Sequence, residues 1–322
     1  MIGARPEIVL HINLQDLTGW RGRERLGFFN RVATLCEAND LPCRAIPRHA
    51  ALTKRQQAAP DGHLHLVEDG RMMGEGWLNA ALAYLLGFWH LDPCGVLAES
   101  GARTARYAPH EVPIDAAQAF FKTLRRRFVT PRHSRYAQPR QRDNSLPDGS
   151  VAVFLQGSKP CKDGQCDVPA QEMILAACRG SGGRPVVVKP HPLSVTECAH
   201  AIARAADQGA VFEVFDGNIH DLLARCAVTV SANSAAAMEG FLHRKPAILF
   251  GQSDFESLVT RVHDPDGFAE ALQSALSADG RYAKMLYWYF TRHTLDITAP
   301  DFEDRLWATF AKVGFPRERF GI

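Results

Sequence analysis

The chain has 322 residues, of which 46% are hydrophobic and 22% charged, with a formal net charge of +2. This length favours two domains over one, because single hydrophobic cores rarely grow beyond about 250–300 residues. The small net charge provides no general attraction to nucleic acid, so we expect no nucleic-acid partner.

The N-terminus lacks the features of a signal peptide, and no apolar run reaches the roughly 18 residues of a membrane span. The eight cysteines are scattered singly along the chain. This pattern is typical of reduced thiols, and no zinc-like spacing accompanies it. We therefore expect a cytoplasmic protein without a metal or other cofactor.

The N-terminal part alternates strands and helices, as a parallel α/β sheet does. Short apolar runs predict strands at 7–13, 43–46 and 63–67, and helical spacing predicts a helix at 24–38. The apolar segment 77–88 and the amphipathic segment 113–127 are both predicted as helices. Together these elements predict an α/β domain over residues 1–130.

Residues 131–150 combine several prolines with many polar residues, which predicts a linker between two domains. A basic cluster extends from the preceding helix into this segment. Its charges are consistent with a solvated linker or with an electropositive rim for an anionic sugar polymer or nucleotide. Its members are Arg125, Arg126, Arg127, Arg132, Arg135, Arg140 and Arg142.

The second half of the chain has the clearest pattern. Strands are predicted at 151–155, 185–189, 211–215, 227–231 and 246–250, with helices between them. This order predicts a doubly wound, Rossmann-like domain over residues 151–262. A helical, aromatic-rich tail follows over residues 263–322.

Ligands of open α/β sheets bind at the carboxyl ends of the strands. One such end carries Lys189-Pro190-His191-Pro192, where two prolines stiffen the turn that presents a lysine and a histidine. Another carries Ser231, Asn233 and Ser234 before a small-residue helix, with Glu239 one turn inside it. Positive charge and a capped helix start together indicate a site for an anionic, nucleotide-like ligand.

Two stretches carry a resemblance to a known family: KPHP (189–192) and DLLARCAVTVSANSAAAMEGFLHRKPAILFG (221–251). They resemble the bacterial capsular-polysaccharide biosynthesis family, which includes retaining β-Kdo transferases that use CMP-Kdo. The resemblance is firm over about residues 151–254. It implies a GT-B architecture of two facing Rossmann-like domains, and we expect the helical tail to pack back across them.

The resemblance also implies roles for individual residues. Lys189 and His191 would hold the CMP phosphate and the neighbouring carboxylate, and Glu239 would bind the ribose. The remaining donor-side residues would be Gln156, Ser231, Asn233 and Ser234. The family carries a Q-x-x-x-D loop, whereas this chain has proline at position 160 in place of the aspartate.

A retaining transferase needs a carboxylate nucleophile and an acid/base. The nearest carboxylates to the altered loop are Asp163 and Asp167, and Asp163 is predicted as the nucleophile or charge stabiliser; otherwise the role has moved or been lost. Glu68 and Asp69 end a predicted strand of the first domain. Glu68 is the predicted acid/base, and Asp69 is a further candidate catalytic residue.

The prediction is therefore a glycosyltransferase that moves Kdo or a related acidic sugar from a CMP donor to a surface-polysaccharide or lipopolysaccharide acceptor. The expected partners are CMP-Kdo, a glycan or glycolipid acceptor, and a membrane-bound assembly at the inner face of the cytoplasmic membrane. Two alternatives remain: a non-catalytic capsule assembly or export partner that keeps the fold, and a UDP-sugar epimerase.

Overall fold

The computed structural model describes residues 5–49 and 61–322. The chain forms two compact units. Unit 1 comprises Met1–Thr104 and Phe290–Ile322, and unit 2 comprises Ala105–Tyr289. The chain thus leaves unit 1 once and returns to it near its C-terminus.

Unit 1 is built on a six-stranded sheet of order β12-β5-β4-β3-β1-β2. The strands β1 to β4 run parallel, whereas β5 is antiparallel to both of its neighbours. The strands are β1 (Ile8–Ile12), β2 (Cys43–Pro47), β3 (Leu64–Glu68), β4 (Trp77–Leu82), β5 (Phe88–Asp92) and β12 (Leu295–Asp296). The helices are α1 (Leu14–Leu17), α2 (Gly27–Ala38) and α11 (Phe302–Lys312).

The apolar segment 77–88 was predicted as a helix, and this prediction is wrong. The structure has strand β4 there, and β5 begins at its end. The connection turns sharply, with positive φ at Tyr84 and Gly87. β4 is buried along nearly its whole length, so its residues are apolar except for Asn79 and lack the alternation that marks a half-buried strand.

Unit 2 has a fully parallel six-stranded sheet of order β11-β10-β9-β6-β7-β8, which is the strand order of the doubly wound Rossmann fold. The strands are β6 (Val151–Phe154), β7 (Val186–Lys189), β8 (Glu213–Val214), β9 (Val228–Ser231), β10 (Ala247–Leu249) and β11 (Thr260–Arg261). The sixth strand, β11, was not predicted.

The helices of unit 2 cover the sheet and extend to both ends of the unit. They are α3 (Ile114–Leu124), α4 (Lys159–Lys162), α5 (Ala170–Gly180), α6 (Val195–Asp207), α7 (Ile219–Arg225), α8 (Ala236–Leu242), α9 (Phe268–Ser277) and α10 (Tyr282–Arg292). A π-helical turn, Arg125–Val129, extends α3. Every residue of α8 is buried, and the helix lies close to β9, where a side chain at Gly240 would come within 2.8 Å of Thr229.

The boundaries of the units differ from the predicted domains 1–130, 131–150, 151–262 and 263–322. The predicted linker 131–150 lies inside unit 2, where Leu146 is buried in a cluster with Phe154 and Leu222. The C-terminal tail is divided, because the unit boundary falls within α10. Proline and arginine content suggested an extended linker, but polar contacts along the segment, described below, attach it to α7 and α8.

In the described part of the chain, no helix combines the length and apolar character that a membrane crossing requires. The same residues contain no group of three or more histidine, cysteine, aspartate or glutamate side chains arranged to hold a metal ion.

Candidate functional site

The two central strands of unit 2, β6 and β9, lie where the strand order reverses, and this is the position at which doubly wound sheets bind ligands. Gln156 follows β6 and Asn233 follows β9. The Gln156 amide donates to Asn233 Oδ1 (3.0 Å), and the Asn233 backbone N–H donates to Gln156 Oε1 (2.9 Å). Asn233 Nδ2 also donates to Gln165 Oε1 and to the carbonyl of Gln252, each at 2.9 Å. The side chain of Asn233 therefore connects three loops at the sheet edge.

A cavity of about 120 Å³ opens beside this pair. We call it the nucleotide cavity, after the ligand that the sequence predicts for this sheet edge. It brings together five of the predicted donor-side residues with a segment that had been assigned to a linker. Its lining includes Gln156, Lys189, His191, Ser234 and Glu239, together with Ser134, Arg135, Tyr136 and Gln138.

Lys189 ends β7 and is partly buried. Its Nζ donates to the carbonyl of Gly217 (2.5 Å) and lies 5.2 Å from the ring centroid of Phe215. Burial lowers the pKa of Lys189, while the charges of Asp216 and Glu239 oppose this shift. A partly desolvated ammonium of this kind gains from an anionic ligand, because that ligand would restore the charge compensation that water no longer provides.

His191 is oriented by contacts on both sides of its ring. Its Nδ1 accepts the backbone N–H of Leu193 (3.2 Å), and the ring packs edge-on against Tyr136 with centroids 5.0 Å apart. Burial, with a contribution from Arg135, lowers its pKa. Because Nδ1 accepts a hydrogen bond, the neutral imidazole carries its proton on Nε2. His191 is thus prepared to donate from Nε2.

Ser231 and Ser234 organise the turn before α8. Ser231 Oγ accepts the backbone N–H of Ser234 (3.1 Å), and Ser234 Oγ accepts that of Ala236 (3.2 Å). Ser231 is buried and does not line the nucleotide cavity, whereas Ser234 does. Of the two serines, Ser231 therefore shapes the turn and Ser234 is positioned to contact a ligand.

Glu239 is the most unusual group of this site. It is only 2% exposed, and its Oε1 accepts a hydrogen bond from Ser134 Oγ (2.8 Å). Its Oε2 has no hydrogen-bond partner among the described residues. Burial raises the pKa of Glu239 to about 7, while the Ser134 hydrogen bond and the charge of Lys189 pull it down. A buried carboxylate oxygen without a partner is costly, so Glu239 is the group of this cavity that has most to gain from a further polar contact.

Two histidines that sequence spacing did not connect lie next to Glu239. His220 Nε2 donates to the carbonyl of His133 (2.9 Å), so the neutral ring must accept at Nδ1 from His243 Nε2 (2.9 Å). Burial lowers the pKa of both rings, to about 3 for His243. His220 Nε2 is 4.0 Å from Glu239 Oε2, which is too far for a hydrogen bond. The pair links α7 to the end of α8.

Polar contacts hold segment 131–150 against α7. Arg132 forms an ion pair with Asp221 (2.6 Å), which also accepts the backbone N–H of Asp143 (3.0 Å). Gln138 Oε1 accepts the backbone N–H of Ile219 (3.0 Å). The aromatic Tyr136 and the apolar Leu146 were the available signals that this segment packs, but proline content dominated the prediction.

Asp163, the predicted nucleophile, does not line the nucleotide cavity. It follows α4, and its Oδ2 is 2.6 Å from Lys159 Nζ. It lines a neighbouring depression of about 510 Å³, which we call the loop depression, together with Ser158, Lys162 and Glu197. Consecutive residues of the chain line the nucleotide cavity and the loop depression, because Pro192 lines the cavity and Leu193 lines the depression.

The loop after β6 has tight geometry around the altered motif. Gly157 has a φ of +66°, and a side chain there would collide with Glu197. Glu197 accepts the backbone N–H and the hydroxyl of Ser158, and these bonds lower its pKa to about 2. Pro160 is buried in the first turn of α4. The proline therefore starts a helix at the position where the family carries its aspartate.

In unit 1, Glu68 ends β3 beside β1, again where the strand order reverses. It is 5% exposed, and Oε2 accepts the backbone N–H of Asn13 (2.7 Å) while Oε1 accepts from Arg25 (3.2 Å). Arg25 also pairs with Asp16, which accepts from Arg23 (2.8 Å) as well. This group forms the carboxylate cluster of unit 1.

Asp69 follows Glu68 in a left-handed conformation, with a φ of 46°. Its side chain is 60% exposed and lies 3.9 Å from Arg48. Arg48 also donates to the backbone carbonyl of Glu68 (2.5 Å). Of the two catalytic candidates in unit 1, Asp69 is therefore the accessible one, and Glu68, the predicted acid/base, is the anchored one.

Comparison with known proteins gives one matching family model and several similar solved structures. The family model described as capsule polysaccharide biosynthesis protein matches residues 163–273, about a third of the chain. The β-Kdo 2,7-transferase structure of Thermosulfurimonas dismutans KpsC is 13% identical, with 85% of this chain and 94% of that chain covered at a TM-score of 0.50. The β-Kdo 2,4-transferase structure of KpsC is 15% identical, with 83% and 90% covered at a TM-score of 0.50. No curated protein sequence shows significant similarity.

The two Rossmann-like units define the GT-B class of α/β folds, with a helical C-terminal region, as predicted. The predicted resemblance to the capsular-polysaccharide biosynthesis family and its Kdo transferases is also confirmed. The matched segment includes both KPHP and the helix that carries Glu239.

Proposed function

We propose that this chain is a glycosyltransferase that moves Kdo or a related acidic sugar from a CMP donor to a surface-polysaccharide or lipopolysaccharide acceptor. The observation that carries the proposal is the unpartnered Oε2 of buried Glu239, in a cavity that also contains Lys189 and His191. Support for the CMP and Kdo assignments comes from the family resemblance.

The nucleotide cavity offers complementary groups to a nucleoside monophosphate. Glu239 Oε2 accepts a ribose hydroxyl, which satisfies the buried carboxylate. Lys189 and the Nε2–H of His191 donate to phosphate oxygens, where charge-assisted hydrogen bonds are strongest. The same donors stabilise the negative charge that develops on the phosphate when CMP departs.

The sugar is assigned to the loop depression. Lys159 and Lys162 line it, and each is paired with a carboxylate of the same depression, Asp163 at 2.6 Å and Glu197 at 3.2 Å. A sugar carboxylate would compete with these two partners for the lysines. Asp163 lines the depression together with Leu193, which follows Pro192 of the nucleotide cavity.

The proposed reaction is a double displacement with retention. The Asp163 carboxylate attacks the anomeric carbon, the bond to the phosphate oxygen breaks, and CMP leaves with the electron pair. An acceptor hydroxyl then attacks the same carbon, Asp163 departs, and the hydroxyl proton passes to a general base. Glu68, predicted as the acid/base, has both of its oxygens occupied by Asn13 and Arg25.

Release of CMP from CMP-Kdo with and without a Kdo-terminated acceptor tests this function. We expect acceptor-dependent release by the wild type, and a loss of at least about a thousandfold for Asp163→Asn. CMP affinity should be unchanged in this variant, because Asp163 lies outside the nucleotide cavity. Asp167→Asn is the matched control, since its carboxylate belongs to the same loop.

One observation favours the alternative of a non-catalytic assembly partner. Asp163 is already paired with Lys159, and the family aspartate is replaced by a buried proline. CMP binding without acceptor-dependent release under any acceptor would establish this alternative and contradict the transferase. Preference for UDP over CMP would contradict both and favour an epimerase.

A further inference from the structure

Unit 2 contains a second, larger concavity that the proposed reaction does not use. This groove has a volume of about 760 Å³ and is formed by α3, the turn after α8, and the start of α10. We call it the basic groove. Among the described residues that line it are six cationic side chains and no carboxylate. The cations are Lys122, Arg125, Arg126, Arg244, Arg281 and Lys284.

Helical spacing brings these charges together. One face of α3 and its π-helical extension carries Gln118, Lys122, Arg125 and Arg126. The three basic residues follow Gln118 by four, seven and eight positions, which is the spacing of one helix face. Phe121 belongs to the same face. Its ring has the guanidinium of Arg125 at 5.8 Å and that of Arg244 at 5.5 Å. Stacking on one ring orients both guanidinium groups before any ligand arrives.

The polar contacts of these cations leave much of the charge uncompensated. Arg125 donates to the carbonyl of Leu242, Lys284 to the carbonyl of Pro109 (2.8 Å), and Arg126 to the hydroxyl of Thr123 (3.3 Å). These acceptors are neutral. Arg281 differs, because it pairs with Asp279 at 2.7 Å. The groove therefore has a strongly positive potential, which favours a polyanion.

We propose that the basic groove binds an anionic oligosaccharide whose sugars carry carboxylates. The fork of an arginine matches a carboxylate, and repeated carboxylates along a chain match several cations at once. A concave lining suits a chain that lies inside it, whereas the planar surface of a membrane would contact an exposed convex face. The inference rests on the proposed function only in its choice of ligand class, that of an acidic polysaccharide.

The basic groove is separate from the nucleotide cavity, but both lie next to α8. Among the described residues, none lines both the basic groove and the nucleotide cavity. Arg125 nevertheless contacts Leu242, the last residue of α8, and α8 carries Glu239. The groove can therefore hold the growing polymer on the same unit as the donor without occupying the place of the nucleotide.

The test measures binding of a hexameric oligogalacturonate to the full chain by calorimetry. We expect salt-sensitive binding to the wild type and about tenfold weaker binding when Lys122→Glu is combined with Arg126→Glu, because both residues are exposed groove cations. The matched control combines Arg179→Glu with Arg204→Glu, two exposed helical arginines outside the groove. The milder double variant, Lys122→Gln with Arg126→Gln, should lose less affinity for the hexamer. It replaces the double glutamate variant if the latter does not fold.

Equal weakening by the groove and control variants would contradict the proposal, as would equal binding of the fully methyl-esterified hexamer. Binding to phosphatidylglycerol vesicles without binding to the oligogalacturonate would also contradict it and would indicate a membrane contact. CMP titration of the same variants separates the two proposals. Absence of CMP binding to the wild type contradicts the proposed function and leaves the groove test valid.

Discussion

The nucleotide cavity of unit 2 and the carboxylate cluster of unit 1 occupy equivalent positions, each between parallel strands where the strand order of the sheet reverses. Each contains one buried glutamate. Glu68 has donors on both oxygens, whereas Glu239 has a donor on Oε1 alone. The same fold has therefore produced a fully paired carboxylate in one unit and an incompletely paired one in the other.

The two glutamates differ in the neighbours that the surrounding chain supplies. The segment after β1 brings Arg23 and Arg25 to the carboxylates of unit 1. In unit 2 the neighbours of Glu239 are the hydroxyl of Ser134 and the neutral His220, and the cation Lys189 bonds to a carbonyl instead. Unit 1 is thus stabilised by internal ion pairs, while unit 2 keeps an unsatisfied acceptor that a ligand can satisfy.

The largest expected effect comes from removing the charge of Glu239. The unfolded carboxyl ionises near 4.5, whereas the folded one keeps its proton up to about 7. Between these values the folded state binds more protons, so the free energy of unfolding falls as the pH rises through this window. Relative to the wild type, Glu239→Gln should therefore gain stability as the pH rises through this window, by up to about 3 kcal/mol.

Denaturant unfolding of both proteins across this pH range measures the gain. The histidines and Lys189 remain in both proteins, so the difference isolates Glu239. Glu270→Gln, at an exposed helical position, is the matched control. A constant stability difference between the wild type and Glu239→Gln would mean that the buried carboxylate is already ionised below neutral pH.

A smaller effect is expected in unit 1. Glu68→Gln replaces one accepting oxygen by an amide that cannot accept from Asn13 or Arg25, and it should cost about 1–2 kcal/mol of stability. The neighbouring Asp69→Asn should change stability by less than about 0.5 kcal/mol, because Asp69 is exposed and asparagine accepts a left-handed backbone. Denaturant unfolding measures the free energy of unfolding of both variants. Equal losses would contradict the contrast between the anchored Glu68 and the accessible Asp69.

Much of the fold was predictable from local pattern. The strands of unit 2 are short apolar runs that end in polar or small residues, and their order along the chain predicts the Rossmann arrangement. Segment 77–88 was misassigned because a strand buried between two neighbours has the same apolar run as a buried helix. Burial on both faces removes the periodicity that sequence interpretation uses.

The candidate site was predictable only in part. Four predicted residues meet in one cavity because they lie at the same sheet edge, at the end of β7 or at the start of α8. They are Lys189, His191, Ser234 and Glu239. Ser134 and Tyr136 were missed, since their segment reaches the site through contacts with α7 that are distant in sequence. The pairing of His220 with His243 was likewise missed, because it depends on the packing of two helices.

The central claim is that unit 2 binds the CMP part of the donor in the nucleotide cavity. Calorimetric titration of CMP into the wild type, Lys189→Ala and Lys312→Ala tests it most directly. Loss of a charge-assisted hydrogen bond should weaken CMP binding to Lys189→Ala by about 10- to 100-fold, with the exposed control Lys312→Ala unchanged. Equal CMP affinity in all three proteins would contradict the placement of the nucleotide site.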